Sequence, residues 1–137
     1  QASAIEIRDS TDEVLAAVFS FCPQPVRIEN NVADIAIDPK RAVALGLIVN
    51  EIATNAVKHG FTPDGEATFS VGMRSSDDGA SYVVTLSSSG VPFPQEVDIV
   101  NPHSLGLQIV TNLVEQLSGS IELKRAPVPQ FTVRFPV

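Results

Sequence analysis

The segment that most constrains the fold is a predicted amphipathic helix that ends near residue 60, with LGLIVNEIATNAVKHG at residues 45–60. Asp38 followed by Pro39 is a good N-cap and first-turn pair for this helix, and Gly60 is expected at its C′ position. Apolar side chains recur at the spacings that face a core: Val43, Leu47, Ile48, Ile52 and Ala56. The helix is therefore expected to border a buried core.

The same helix carries a polar stripe at positions i, i+4, i+7 and i+8, which are Glu51, Asn55, Lys58 and His59. On an α-helix this spacing gathers the four side chains along one side. Asparagine offers a neutral oxygen to a hard cation, lysine a compact positive charge, and glutamate an acceptor or a base. The stripe suits a magnesium-bound polyphosphate, and the alternative is an ordinary solvated helix face.

Length and composition indicate one domain over residues 1–137. The chain is 44% hydrophobic and 18% charged, and no apolar run approaches the roughly 20 residues of a membrane span. The formal net charge of −7 argues against nucleic acid binding, which requires clustered Lys and Arg. The single cysteine, Cys22, excludes an internal disulfide and is compatible with a reducing cytoplasm. No secretory signal is visible, and the start at Gln1 suggests a domain excised from a longer protein.

Hydrophobic periodicity predicts alternating strands and helices. The first helix is expected to begin at a Ser10 or Thr11 cap and to run to about residue 21, and the last to run from a Ser104 cap to a stop at Gly119. Core-facing positions on these two helices are Val14, Leu15, Val18, Phe19, Leu105, Ile109, Val110, Leu113, Val114 and Leu117.

Strands are predicted at residues 5–8, 26–28, 36–37, 67–73, 81–86, 120–124 and 131–135. Asp77-Asp78-Gly79 is expected to form the turn of a hairpin. Residues 87–103 are rich in Ser, Pro and Gly and lack a helical period, which is typical of a mobile functional loop. The predicted fold is an α/β (α+β) two-layer sandwich, with a mixed, mostly antiparallel sheet covered on one face by about three helices.

Two long motifs carry a resemblance to a known family. LGLIVNEIATNAVKHGF resembles the N box of the GHKL ATPase superfamily, which contains gyrase and the sensor histidine kinases. SLGLQIVTNLVEQLSGSIEL is similar to the G2 box of bacterial sensor histidine kinases. The two motifs stand in the expected order, and the resemblance covers nearly the whole chain. It implies a Bergerat-type ATP-binding fold.

The resemblance also implies roles for individual residues. Asn55 corresponds to the asparagine that holds Mg²⁺ between the ATP phosphates, and Glu51 to the acidic residue one turn earlier, so these two are the candidate catalytic residues. Lys58 and His59 match positions that approach phosphate or ribose. Ser104, Leu105, Gly106 and Leu107 resemble the lid segment whose backbone amides meet the phosphates. A helix start that contains glycine is a reasonable anion site without any family argument.

The G1 box departs from the family pattern. These kinases usually carry Asp-x-Gly-x-Gly after the second hairpin strand, and here Ser88, Gly90 and Pro92 occupy those three positions. The aspartate accepts a hydrogen bond from the adenine amino group, and a neutral serine would make a contact about 1 kcal/mol weaker. A Gly-Thr pair before the last strand is replaced by Pro129-Gln130. Ser88 and Gly90 remain candidate nucleotide-binding residues.

The resemblance implies the ATP-binding catalytic domain of a two-component sensor histidine kinase, with ATP and Mg²⁺ as cofactors. The γ-phosphoryl group would pass to a histidine outside this chain. The implied partners are an upstream dimerisation and histidine phosphotransfer domain of the parent chain and a response regulator. The domain itself is expected in the cytoplasm, with the parent either membrane-bound or soluble. The alternatives are a degenerate pseudokinase that acts as a docking module, and an anti-sigma-type serine kinase.

Overall fold

A computed structural model of the chain describes residues 3–63, 65–91 and 105–137. The strands within these ranges are β1 (Ile5–Glu6), β2 (Val26–Val32), β3 (Ala36–Ile37), β4 (Ala67–Ser75), β5 (Ser81–Ser88), β6 (Ser120–Lys124) and β7 (Gln130–Pro136). The helices are α1 (Ile7–Phe19), α2 (Pro39–Asn55) and α3 (Leu105–Gln116), and a π-helical turn at Ala56–Gly60 continues α2. No helix among these residues has the length and apolar character needed to cross a membrane.

The main sheet has the strand order β2-β4-β5-β7-β6. β2 runs parallel to β4 and the other neighbours are antiparallel, while β1 and β3 pair separately. Along β4, Ala67, Phe69, Val71 and Met73 are buried and the residues between them are partly exposed, because one face of the sheet is covered by the helices. This arrangement confirms the predicted two-layer sandwich.

The start of α1 differs from the prediction. The first strand covers only Ile5–Glu6, and the helix begins at Ile7 instead of at a Ser10 or Thr11 cap. Ile7 is buried, and its backbone N–H donates to Ile35 O at 3.0 Å. Burial of this side chain fixes the helix start, although the preceding residue supplies no side-chain cap.

The apolar stripe predicted on α2 is wrong at two positions. Val43 and Leu47 are 62% and 48% exposed. The buried side chains of α2 are instead Ala42, Ala44, Leu45, Ile48, Val49, Ile52 and Ala53. Because α2 packs between α1 and α3, these two helices determine which side chains of α2 are buried.

A similar correction applies to α3. Leu105 and Ile109 are 72% and 36% exposed, against the prediction, whereas Val110, Leu113, Val114 and Leu117 are buried as expected. Leu105 lies in the first turn, next to residues outside the described ranges.

The helix ends show a confirmed cap at Asp38, an error at Gly60, and an α3 that ends just before Gly119, as expected. Asp38 caps α2 through its carboxylate, which accepts from Arg41 N–H at 3.1 Å, with Pro39 in the first turn. Gly60 does not occupy a C′ position, because it ends the π-helical turn and Phe61 follows as the cap. At the end of α3, Ser118 adopts the left-handed conformation (φ 57°). Gly119 is required for another reason, since a Cβ there would collide with the carbonyl oxygen of Arg134.

The cap gives a pH-dependent prediction. The side-chain and backbone hydrogen bonds from Arg41 lower the pKa of Asp38 below its ordinary value of 3.8. The unfolded chain therefore takes up this proton first as the pH falls, and the stability contributed by the charged cap is lost through the lowered pKa. In urea denaturation, the stability difference between wild type and Asp38→Asn should be largest above pH 3.8 and should shrink below it. A difference that stays constant across this range would contradict the linkage.

Burial on α2 gives a second prediction with a matched control on the next residue. Ile48 is fully buried, so Ile48→Ala should lower the free energy of unfolding by about 3 kcal/mol. Leu47 is 48% exposed, so Leu47→Ala should change it by no more than about 0.5 kcal/mol. Urea titration followed by circular dichroism measures both. Equal losses for the two variants would mean that Leu47 is part of the core.

Candidate functional site

The site forms where α2 ends. At Ala56–Gly60 the helix widens into a π-helical turn, in which Phe61 N–H donates to Ala56 O at 3.1 Å. Such turns are rare and occur frequently at functional sites. Each residue of a π-helical turn advances through a smaller angle than the about 100° of an α-helix, so side chains after Asn55 are redirected.

This change separates the four residues of the predicted polar stripe. Asn55 and His59 line the same cavity. Lys58 instead lines a surface groove between α1 and α2, together with Phe21 and Asn50. The expectation that all four side chains lie along one side is therefore wrong for Lys58, while its phosphate-binding role stays a prediction.

The cavity that receives Asn55 has a volume of about 30 Å³. Its lining is Ile52, Asn55, Ala56, His59, Gly60, Phe69, Leu86, Ser87, Ser88, Pro129 and Phe131. It is mostly apolar, with a few polar side chains at the end of α2 and on β5, as is usual for small-molecule sites. The volume holds about one or two water molecules.

Ser88 is the buried polar residue of this cavity. It ends β5, is 7% exposed and pairs with Phe69 of β4. Its backbone N–H donates to Pro129 O at 3.4 Å. A Cβ placed on Gly60 would lie 3.5 Å from the Ser88 hydroxyl oxygen, so the hydroxyl lies against the end of the π-helical turn.

At Gly90, the backbone that follows β5 packs directly against the π-helical turn. Val91 N–H donates to Gly60 O at 2.9 Å. Gly90 has φ 113°, and a Cβ there would overlap the Gly60 carbonyl group. Only glycine allows this backbone-to-backbone approach.

Glu51 lies on a second side of the site, beside the first turn of α3. A Cβ placed on Gly106 would lie 2.8 Å from Glu51 Oε2, so the carboxylate occupies the space that a side chain would take. A carboxylate near a helix N-terminus is electrostatically favourable. Leu107 in the same turn is buried. The structure thus brings Glu51 together with the predicted lid segment.

The predicted residues form two contiguous groups: Asn55, His59, Ser88 and Gly90 around the cavity, and Glu51, Leu105, Gly106 and Leu107 where α2 meets α3. Ser104 and most of the predicted loop lie outside the described residues. Phe69, Leu86 and Phe131, which form walls of the cavity, were not predicted from the sequence. Their alternation along β4, β5 and β7 was the available signal, since it places them on the sheet face that the helices cover.

Larger depressions lie elsewhere on the described surface, with volumes of about 390 to 510 Å³. Of the predicted site residues, only Lys58 lines one of them. The volume of a depression alone therefore does not identify the site, because the larger depressions lack most of the residues with the relevant chemistry. We base the site on the convergence of Asn55, His59 and Ser88, because convergent polar groups in an apolar cavity are what gives a ligand its orientation.

The family is shown by sequence comparison. Residues 40–137 match the family of "Histidine kinase-, DNA gyrase B-, and HSP90-like ATPase", and the chain belongs to it. One relative is sensor histidine kinase PdtaS of Mycobacterium tuberculosis, 36% identical over 105 residues, which are 75% of this chain and 21% of that protein. Another is blue-light-activated histidine kinase 2 of Erythrobacter litoralis, 32% identical over 101 residues, 73% of this chain and 28% of that one.

Structural comparison agrees at the level of the fold. The histidine kinase domain of the E. litoralis EL346 blue-light-activated kinase superposes with a TM-score of 0.86 at 20% identity, over 96% of this chain and 61% of that one. The catalytic domain of histidine kinase ThkA gives a TM-score of 0.77 at 17% identity, over 99% and 97%. The fold is that of histidine kinase catalytic domains. The matched part of the chain spans only 21% of the length of PdtaS and 28% of that of blue-light-activated histidine kinase 2.

The two glycines of the site give a prediction with a built-in control. Gly90→Ala should lower the free energy of unfolding by at least about 2 kcal/mol, because of its positive φ and the collision with Gly60 O. Gly60→Ala should fold with nearly unchanged stability, since its Cβ would make only ordinary contacts of 3.5 and 3.7 Å. Thermal and urea unfolding measure both. A Gly90→Ala protein as stable as Gly60→Ala would disprove the close approach.

Proposed function

We propose that the chain is the ATP-binding catalytic domain of a sensor histidine kinase, which transfers the ATP γ-phosphoryl group to a histidine outside this chain. One observation carries the proposal: Asn55 and Ser88 open onto one cavity at the end of α2, while Glu51 meets the first turn of α3 next to it. The match to an ATPase family and the histidine kinase relatives support it.

The phosphate half of the site has the groups that this chemistry needs. Mg²⁺ is a hard cation that takes oxygen ligands and keeps several waters, so the Asn55 amide oxygen and the phosphates would suffice to hold it. Glu51 would orient the metal shell or polarise the attacking group. The first turn of α3 would meet the phosphates with its backbone N–H groups and Gly106. Catalysis would be mostly positioning and charge stabilisation, as in phosphoryl transfer generally.

Lys58 would supply positive charge at the edge of the site, and His59 would approach the phosphate or the ribose. Both are exposed at the end of the π-helical turn, and the Lys58 ammonium there would attract a polyphosphate. Since the Lys58 side chain points toward the groove between α1 and α2, its flexible four-carbon stem must turn to reach a phosphate.

The parent protein provides the remaining partners in this proposal. The relatives are several times longer than the matched segment, which agrees with an upstream dimerisation and histidine phosphotransfer domain in the parent chain. A response regulator would receive the phosphoryl group, and the domain would work in the cytoplasm.

A pseudokinase docking module is the second candidate. The small volume of the cavity, about 30 Å³, favours it, because a cavity of this size gives a purine base little room. Under this alternative the domain would keep its partner contacts and bind no nucleotide.

Mutation of Asn55 tests the proposal. Asn55→Ala should weaken Mg²⁺-dependent binding of a non-hydrolysable ATP analogue by at least about tenfold, as expected for loss of a metal ligand's contact. Asn50→Ala is the matched control, because Asn50 is an exposed asparagine of the same helix that lines the other groove. Isothermal titration calorimetry measures both.

Two results would count against the kinase. The first is no binding by wild type at millimolar nucleotide with Mg²⁺, which would favour the docking module. The second is equal affinity of the Asn55→Ala and Asn50→Ala proteins, which would remove Asn55 from the site.

A further inference from the structure

We infer that the base end of this site does not distinguish adenine from 6-oxopurines, so that inosine triphosphate binds about as well as ATP. The inference rests on the proposed function, because it concerns the base of the nucleotide bound at that site. In this inference, Ser88 is the residue whose hydroxyl group accommodates both kinds of base.

The cavity lining determines which hydrogen-bonding groups a base can meet. The polar residues along it are Asn55, His59, Ser87 and Ser88, of which Ser88 is the buried one. A hydroxyl can both donate and accept a hydrogen bond. Among the described residues, the lining contains no carboxylate, which is the acceptor-only side chain. The Ser88 hydroxyl can therefore pair with either a donor or an acceptor on a base.

Adenine and hypoxanthine differ in just this property. Adenine presents an amino donor at position 6 beside a ring acceptor, and hypoxanthine presents a keto acceptor beside a ring donor. A carboxylate would accept from the amino group and repel the keto oxygen, so it would select adenine strongly. The Ser88 hydroxyl can rotate to accept from the first or to donate to the second.

Burial makes Ser88 the residue that matters most among these four. It is 7% exposed and is held between the last pair of β5 with β4 and the end of the π-helical turn at Gly60. A hydrogen bond to the Ser88 hydroxyl is shielded from water, so a base whose polar group could not pair with it would lose binding free energy. A rotating hydroxyl removes this penalty for both bases.

The decisive experiment compares the two nucleotides on the wild-type protein. Inosine triphosphate is the probe, because it differs from ATP only at position 6 and the adjoining ring nitrogen. Calorimetric titration with Mg²⁺ should give dissociation constants within about threefold of each other. An ATP preference above tenfold would overturn the inference and leave the proposed function standing.

Variants at position 88 identify the cause. Ser88→Asp should raise the ATP preference to tenfold or more, since a charge-assisted acceptor then meets the amino group and repels the keto oxygen. Ser88→Ala is the control, and it should weaken both nucleotides by the same factor. A changed ratio in Ser88→Ala would contradict the role of the hydroxyl. If Ser88→Asp fails to fold, the wild-type ratio and Ser88→Ala still decide the question.

The inference and the proposed function fail in different ways. If neither nucleotide binds at millimolar concentration, the nucleotide site itself is disproved and the inference with it. If both bind and wild type discriminates strongly, only the specificity argument is wrong.

Discussion

The contact that the rest of the site depends on is the backbone approach between Gly60 and the segment that leaves β5. Gly60 O accepts from Val91 N–H at 2.9 Å, and Gly90 leaves room for this by lacking a Cβ. The contact joins the end of the helical layer to the sheet. Asn55 on α2 and Ser88 on β5 line one cavity beside this contact.

The fold was largely predictable because its signals are local. Alternation along β4 and the cap at Asp38 can be seen in a few neighbouring residues, and both are confirmed. The errors have a different origin. Whether Leu47 or Ile48 faces the core depends on where α1 and α3 pack against α2. The apolar side chains of α2 cover more of its circumference than the two neighbouring helices bury, so the sequence alone does not say which of them are buried. Likewise, the π-helical turn ends at Gly60, whose carbonyl oxygen accepts a long-range hydrogen bond from Val91 N–H, and local propensity does not encode such a contact.

Several residues of the candidate site could be predicted from the sequence, but the directions of their side chains and the volume of the cavity could not. Motif spacing identified Asn55, Glu51 and Ser88, and the structure places all three around one end of α2. The direction of Lys58 could not be predicted, since ideal α-helical spacing fails once the turn widens. The volume of the cavity was equally hidden, because it depends on how walls from separate strands close together.

The relaxed base specificity inferred above would be compatible with the proposed kinase activity, because the two halves of the proposed site would have different physical roles. Phosphoryl transfer depends on the position of the phosphates and on neutralising the charge that they carry. The base only anchors the nucleotide, so weakening its contacts affects affinity more than chemistry. In the proposed site, Ser88 stands where related kinases usually carry a carboxylate and would affect the base end alone, whereas Asn55 and Glu51 would act at the phosphate end. A chain that served only for docking would have no physical need for this second arrangement, which is why the phosphate half weighs more than the small cavity.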